Sequence, residues 1–261
     1  MISPLCIEDR SSLNKRWLFS VYLMMWMFLT MLAVPAQAWE GRKDAMGQQL
    51  QWGGDRISYR INPSGDHGLS DTAIDTLVSA ATRNWTDPVS GQLRFDNDGQ
   101  TSIRKASHSD GVNTIFFEEN WSEDPALLAV TYIWSNTEGQ IIGFDMALNT
   151  QDHDWAIDGS PESNDLLNTL SHELGHALGI DHSPTESMAT MYASSPLGEL
   201  HKRDLHDDDI AAITHLYAHA DQADEDAAGC STLGRPRALG RSGLWTLSFL
   251  AIIAAFRRHR S

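Results

Sequence analysis

The segment HELGHALGIDH, from His172 to His182, combines three histidines with a glutamate and a glycine at fixed spacing. His172 and His176 are four residues apart, so on a helix their imidazoles lie on one face, one turn apart. Two such imidazoles can bind one zinc ion, and His182 can supply a third ligand if the chain turns back after the helix. Three protein ligands leave one coordination position open, which is typical of catalytic zinc rather than structural zinc.

Glu173 directly follows the first of these histidines and has the chemistry of a general base. Zinc lowers the pKa of a bound water to about 7, and an adjacent carboxylate can take the proton of that water during attack on a peptide carbonyl and pass it to the leaving amine. The alternative is a solvated helix face that carries two histidines and a glutamate by chance. The five fixed positions of HExxHxxGxxH disfavour that alternative.

The helix that would hold the first two histidines is predicted by its ends and by its apolar face. Ser163 is a candidate N-cap, the helix is expected to run from 164 to about 178, and Asp165 falls in its first turn. Gly179 can adopt the left-handed conformation that ends a helix and turns the chain toward His182. The apolar face is formed by Leu166, Leu170, Leu174, Ala177 and Leu178.

The rest of the central region predicts a sheet flanked by helices. Residues 70–86 have apolar residues at helical spacing after Ser70, a candidate N-cap. Alternating or β-branched runs predict five strands, at 57–62, 93–95, 113–117, 129–134 and 141–146. This order indicates an α+β fold, an α/β-type sandwich in which a mixed twisted sheet of about five strands is backed by helices.

The histidine motif resembles the signature of the metzincin zinc proteases, and Ser183 after the third histidine is similar to the matrixin branch of that family. The segment 189–192, ATMY, looks like the methionine turn of the family, with Met191 as its methionine. It lies one residue further from the third histidine than is usual, and Met188 is the competing candidate. The resemblance covers about residues 50–218.

The resemblance implies a zinc endopeptidase with one catalytic zinc in a cleft between an upper and a lower subdomain. It also implies that an extended protein or peptide substrate pairs with an edge strand at 127–134. Residues 205–217 resemble the C-terminal helix of matrixins, in which one of Asp208 and Asp209 supports the methionine turn. Their simpler role is to place negative charge at the N-terminus of a helix. The specificity pocket is expected near 183–200.

Two features of the vertebrate members, a propeptide cysteine and a structural zinc, are not expected here. No cysteine lies between Ala38 and Ile57, and Gly143 stands close to where a ligand of the structural zinc would fall. The other histidines of the region are interpreted as surface residues: His67, His108, His153, His201, His206 and His215. Calcium is a further candidate cofactor because acidic residues fall at strand ends or in loops. These are Asp96, Asp98, Asp124, Asp145, Asp152 and Asp154.

The N-terminal segment predicts export. A short basic stretch precedes the apolar run 17–34, and Ala36 and Ala38 form a small-x-small site, so residues 1–38 are interpreted as a signal peptide cleaved after Ala38. The alternative is an uncleaved membrane anchor, because the apolar run is longer than the usual core of a signal peptide.

The C-terminal segment predicts processing or anchoring at a membrane. Residues 39–220 are expected to form the catalytic domain and 221–243 a linker with a Cys-containing sorting motif. Residues 244–261 are expected to form a hydrophobic helix with an Arg-rich tail. This tail resembles bacterial C-terminal sorting tails, with cleavage near Cys230, and a retained membrane anchor is the alternative. Both interpretations place 39–229 outside the cytoplasm, at the cell surface or secreted, with only the termini at the membrane.

The central region is strongly acidic. Between 39 and 229 there are ten Lys or Arg and 33 Asp or Glu, a net charge of −23, against −16 for the whole chain. Such a surface repels nucleic acid and anionic membranes, so neither is expected as a partner, and a monomer is expected. Cys6 and Cys230 lie outside this region, which therefore has no disulfide and no thiolate metal ligand.

Three functions are compatible with these features. The first is an exported zinc endopeptidase, the second a surface-anchored metal-binding module without activity, and the third a zinc hydrolase of cell-wall peptides. Glu173 argues against the module, because a site that needs only its metal has no use for a base. The third function uses the same chemistry in a different cleft, so the motif does not distinguish it from the first.

Overall fold

The computed structural model of the chain describes residues 38–65 and 67–218. The predicted signal peptide, the linker with Cys230 and the hydrophobic tail lie outside these residues. Within the part of the chain that the structure describes, no helix is long and apolar enough to cross a bilayer.

The described residues form a mixed sheet and three α-helices, which confirms the predicted α+β class. The helices are α1 (Asp71–Thr86), α2 (Leu166–Ala177) and α3 (Asp207–Tyr217). The strands are β1 (Gln51–Trp52), β2 (Arg56–Asn62), β3 (Arg94–Gln100), β4 (Thr114–Glu118), β5 (Ala129–Ser135), β6 (Gln140–Asn149), β7 (Trp155–Ala156) and β8 (Asn164–Asp165). Single 3₁₀ turns follow α1 at Asp87–Val89 and precede α3 at His201–Arg203.

Six of the strands form one sheet in the order β1-β6-β4-β2-β3, with β5 paired to the other side of β6. Every pairing is parallel except that of β5 with β6, which is antiparallel and sets Thr131 opposite Met146. Among the described residues, strand β5 has a sheet partner on one side only. Its other edge is free, as expected for a strand that pairs with an extended ligand.

Strand β3 is longer than the sequence predicted. The sequence predicted a strand at 93–95, but the strand continues to Gln100, with Asp96 opposite Ser58 of β2. Asp96 forms salt bridges with Arg56 and Arg94, which compensate the negative charge of its carboxylate within the strand. Strand β3 ends the sheet, and a polar, charged sequence is tolerated at an edge that faces solvent.

Helix α1 covers the sheet and holds α2 in place. Its predicted N-cap is confirmed, since the Ser70 hydroxyl accepts from the Ala73 amide at 3.3 Å. Ile74 and Val78 are buried in the core. The Trp85 indole donates to the Ser171 carbonyl at 2.7 Å, and this bond links α1 to the helix that carries the histidines.

Helix α2 begins two residues later than predicted, and Ser163 is not its N-cap. The cap is Asp165, whose side chain accepts from the Asn168 amide at 2.9 Å and also pairs with Arg203. Residues 164–165 instead form β8, which pairs with β7. A carboxylate that meets both a free amide and a guanidinium is a stronger cap than a neutral hydroxyl.

The predicted apolar face of α2 is confirmed, because all five of its residues are fully buried: Leu166, Leu170, Leu174, Ala177 and Leu178. The helix ends at Ala177 with Leu178 as its C-cap, and Gly179 then adopts the predicted left-handed conformation, with a φ of +83°. A Cβ at this position would lie 2.2 Å from the Leu50 carbonyl oxygen, so both the backbone angle and the space require glycine.

Candidate functional site

The structure brings the three histidines of the motif together. His172 and His176 project from α2, and the turn at Gly179 returns the chain so that His182 faces them. The Nε2 atom of His182 lies 3.3 Å from Nε2 of His172 and 3.2 Å from Nε2 of His176. Among the described residues, this is the one group of three or more His, Cys, Asp or Glu with ligand atoms close enough to hold a metal.

The hydrogen bonds of these rings favour a metal. Nδ1 of His172 lies 2.7 Å from the Thr190 carbonyl oxygen, and Nδ1 of His176 lies 2.9 Å from that of Ile180. A carbonyl only accepts, so each Nδ1 carries the ring proton and each Nε2 presents a lone pair toward His182. Tetrahedral zinc with bonds of about 2.0–2.1 Å sets its nitrogen ligands about 3.3 Å apart, so the three residues fit zinc.

Desolvation favours the neutral form of the three imidazoles, which is the state that binds a metal. Desolvation lowers the pKa of His172 well below its usual value, and the neighbouring His176 lowers it further. The pKa of His176 falls to about 4 for the same two reasons, with His182 as its neighbour. Desolvation also lowers the pKa of His182.

Glu173 lies beside the triad and is held by a residue that the sequence did not single out. Its side chain is 6% exposed, and its Oε2 accepts from the Thr131 hydroxyl of β5 at 2.6 Å. Burial raises the pKa of Glu173 to about 7, against the opposing effect of the Thr131 bond. Strand alternation could place Thr131 on the inner face with Ala129, but no sequence pattern pairs it with a helix residue 42 positions away.

Met191 lies under α2 and is fully buried. A tight turn carries it, with the Tyr192 amide donating to the Ala189 carbonyl at 3.1 Å. A Cβ added to Gly175 would come 2.2 Å from the Met191 sulfur, so the helix and the methionine are in direct contact between the two histidine positions. The competing Met188 is 51% exposed and does not lie beneath the site.

The two aspartates of α3 have different partners. Asp209 is buried and accepts from the amides of Thr190 at 2.6 Å and Met191 at 3.0 Å, so it lies against the methionine turn. Asp208 accepts from the Ser183 hydroxyl at 2.9 Å and from the Trp39 amide at 3.0 Å. It therefore joins the start of the described chain to the segment that follows the third histidine.

A cavity of about 630 Å³ extends from the triad along the free edge of β5. The loop after Met191 forms its opposite wall, within the range expected for the specificity pocket. Buried Lys202 fixes this loop by donating to the carbonyls of Tyr192 at 2.6 Å and Ser194 at 2.8 Å. The cavity is lined on the β5 side by Leu127 and Leu128, and on the side of the loop by Ala193, Ser195, Pro196 and Leu197.

The structure does not gather the candidate calcium ligands into a further cluster within the described residues. Asp145 is buried and accepts from the amides of Ser107 and Thr114 at 2.9 and 2.7 Å, so its oxygens support the backbone. Calcium stays a prediction.

Of the histidines interpreted as surface residues, His108 and His215 are exposed and the other four are half-buried. His206 has a structural role as the N-cap of α3.

Comparisons with known proteins agree with this geometry. The family model for matrixins, the M10 peptidases, matches residues 51–218. Karilysin from Tannerella forsythia is 31% identical over 180 residues, which cover 66% of this chain and 34% of karilysin. Human matrilysin is 28% identical over 171 residues, which cover 64% of this chain and 58% of matrilysin.

A probable matrix metalloproteinase, 095L of Invertebrate iridescent virus 3, is 32% identical over 133 residues, which cover 48% of this chain and 31% of that protein. The chain thus matches about a third of the length of this protein and of karilysin. The family match spans the sheet from β1, the histidine motif, the methionine turn and α3. The chain belongs to the matrixin family of peptidases.

Proposed function

We propose that this chain is a zinc-dependent endopeptidase that hydrolyses peptide bonds in extended polypeptides. The observation that carries the proposal is the convergence of three imidazoles beside a buried carboxylate, with Nε2 of His182 3.2–3.3 Å from Nε2 of the other two histidines. Membership of the matrixin family supports metallopeptidase chemistry at the level of the family. The three imidazoles and the carboxylate have the spacing and the charge states that this chemistry needs.

The catalytic roles follow from the chemistry of each side chain. His172, His176 and His182 hold the zinc, which supplies a Lewis acid for the scissile carbonyl and for water. Glu173 takes the proton of the attacking water and delivers it to the amine that leaves. A base acts best with a pKa near the working pH, and burial raises the pKa of Glu173 toward that range.

The substrate is held by the cleft as an added strand. The free edge of β5 offers backbone donors and acceptors to an extended peptide, which fixes the scissile bond near Glu173. The loop that Lys202 fixes forms the facing wall and selects the side chain next to that bond. Both features support a polypeptide substrate rather than a compact small molecule.

The remaining site residues have structural roles. Met191 forms the floor beneath the histidine helix, and Asp209 holds the turn that carries it. Gly179 permits the reversal that brings His182 to the metal. Asp208 connects Ser183 to the start of the domain.

Export is the second part of the proposal, with a signal peptide at 1–38 and a catalytic domain at 39–220. Trp39 is buried and its amide donates a hydrogen bond to Asp208, which supports a folded domain that includes the residue after the predicted cleavage site. The linker at 221–243 and the apolar tail at 244–261 would keep the enzyme at the cell surface or release it after cleavage near Cys230.

The test is to measure zinc content and protein cleavage on the same preparation, for the wild-type protein and for Glu173→Gln. Zinc in both, with cleavage in the wild type alone, supports the proposal. Zinc in both proteins without cleavage of any protein would favour a metal-binding module. If cell-wall peptides are cut instead, the function would be that of a cell-wall hydrolase.

A further inference from the structure

Thr131 is the third residue of strand β5, and its hydroxyl contacts the helix that carries the candidate base. Its side chain is 7% exposed, and that of Glu173 is 6% exposed. The Thr131 Oγ1 atom lies 2.6 Å from Oε2 of Glu173 and 3.2 Å from the Glu173 carbonyl oxygen. The two side chains therefore meet inside the cleft, out of bulk water.

The Thr131 hydroxyl has one proton to donate. A carboxylate is a stronger acceptor than a neutral carbonyl, and here it is also the nearer one, so the proton goes to Oε2. In the part of the chain that the structure describes, this is the one hydrogen bond made to the Glu173 carboxylate. No described residue donates a hydrogen bond to the second oxygen, Oε1, and Glu173 is among the residues that line the cavity.

The final torsion of a glutamate side chain is soft and roughly twofold, so packing alone holds it poorly. A single short hydrogen bond to one oxygen removes that freedom. A group that transfers a proton needs a fixed position relative to the reacting atoms, and small misplacements reduce the rate strongly.

We propose that Thr131 is a positioning residue for the reaction: its hydroxyl holds Oε2 of Glu173 so that Oε1 is presented to the attacking water. This inference rests on the proposed function and adds a residue that lies outside the histidine motif. The Thr131 hydroxyl contacts Glu173 and acts through it.

The direct test is Thr131→Val in the full chain, because valine keeps the branched shape and removes the hydroxyl. The kcat for a protein or peptide substrate is expected to fall about tenfold, which is part of the 10²–10⁴ that a positioned general base contributes. The KM is expected to change less than about twofold and zinc content not at all, because neither the substrate edge nor the histidines change.

Two further substitutions at the same position keep the test sharp. Thr131→Ser retains the hydroxyl and is expected to recover kcat to within about threefold of the wild type. Thr131→Ala removes the hydroxyl without setting a second methyl against the carboxylate, and it is expected to show the same loss as valine. The three variants separate the hydrogen bond from the shape of the side chain.

Thr114→Val is the matched control. Thr114 is a fully buried threonine of β4, and its hydroxyl has no hydrogen-bond partner among the described residues. The change removes a strand hydroxyl away from the cleft, so kcat and KM are expected to stay at wild-type values.

Three outcomes would overturn the inference. The first is a wild-type kcat in both Thr131→Val and Thr131→Ala. The second is a serine variant as slow as valine, which would assign the effect to the missing methyl. The third is loss of zinc or of folding in parallel with kcat, which would make the role structural. A wild-type protein that binds zinc and cleaves nothing would instead remove the proposed function, and this inference with it.

Discussion

The Asp209 carboxylate does more than place negative charge at the N-terminus of α3. The sequence allowed both a dipole role and a supporting role for the aspartates of α3. Asp209 accepts from three backbone amides, those of Thr190, Met191 and His206. Thr190 in turn directs its carbonyl at His172, so the contacts run from α3 through the turn to a zinc ligand.

Asp209→Asn is predicted to lower the free energy of unfolding by about 2 kcal/mol, because an amide nitrogen would then face backbone donors inside the protein. Zinc affinity should fall with it, since the carbonyl that orients His172 loses its support. Denaturant unfolding and zinc competition measure the two effects.

Asp207→Asn is the matched control for this change. Asp207 is exposed in the same first turn of α3, and its loss should lower stability by less than about 1 kcal/mol and leave zinc affinity unchanged. Equal effects of the two substitutions would contradict the supporting role of Asp209 and leave only its role as a negative charge at the N-terminus of α3.

At the scale of elements, α2 and the turn after it do most of the positioning. The helix sets two histidines one turn apart, and Gly179 reverses the chain toward the third. The segment that begins with Trp39 runs beside this reversal, where the Arg42 amide donates to the Gly179 carbonyl at 2.8 Å. The reversal is therefore packed on both sides, which leaves no room for a side chain at 179.

Gly179→Ala is predicted to destabilise the protein more than Gly47→Ala. Both glycines have φ near +82°, but only the Cβ at 179 meets a backbone oxygen, at 2.2 Å, whereas that at 47 meets nothing within 4 Å. We expect a loss of about 1 kcal/mol at 47 from the left-handed backbone alone, and about 2 kcal/mol more at 179 from the clash.

The measurements are denaturant unfolding and zinc affinity of the two glycine variants. Zinc affinity should fall only for Gly179→Ala, because His182 would be displaced. Similar losses for both variants would contradict the account of the tight turn.

Periodic features of these elements were predictable from the sequence. The apolar face of α2, the Ser70 cap and the Gly179 ending each depend on residues a few positions apart, and all three are confirmed. The motif also indicated the family, because its five positions rarely occur together by chance.

Contacts between distant segments were not predictable. The choice of Asp165 over Ser163 as the cap depends on Arg203, and the extension of β3 depends on Arg56 from a neighbouring strand. The bond from Thr131 to Glu173 joins a strand to a helix. Local propensity carries no information about such partners, so the sequence predicted the three histidines that the structure brings together and missed the contacts that orient the site.

At the scale of the whole molecule, the charge should steer substrates. The described residues carry ten Lys or Arg and 28 Asp or Glu, a net charge of −18, so their field should attract cationic chains and repel anionic ones. A monomeric state and an exported location are predictions at this scale as well.

Peptides with the same cleavage site and either Lys or Glu flanks test this field. The kcat/KM for the Lys-flanked peptide should exceed that of the Glu-flanked one by about tenfold at low salt. The difference should vanish in 1 M salt, where the Debye length is about 3 Å. A Ser-flanked peptide is the control and should be nearly insensitive to salt. A preference that is unchanged by salt, or one for the Glu flank, would show that the field does not act on the substrate.

The central claim is that a zinc ion held by three histidines works with Glu173 on peptide bonds. Its most direct measurement is zinc content and casein cleavage for the purified wild-type protein and Glu173→Gln. We predict one zinc per chain in both, and a loss of cleavage by a factor of about 10²–10⁴ in the variant. A Glu173→Gln protein that keeps its zinc and cleaves at the wild-type rate would contradict the account.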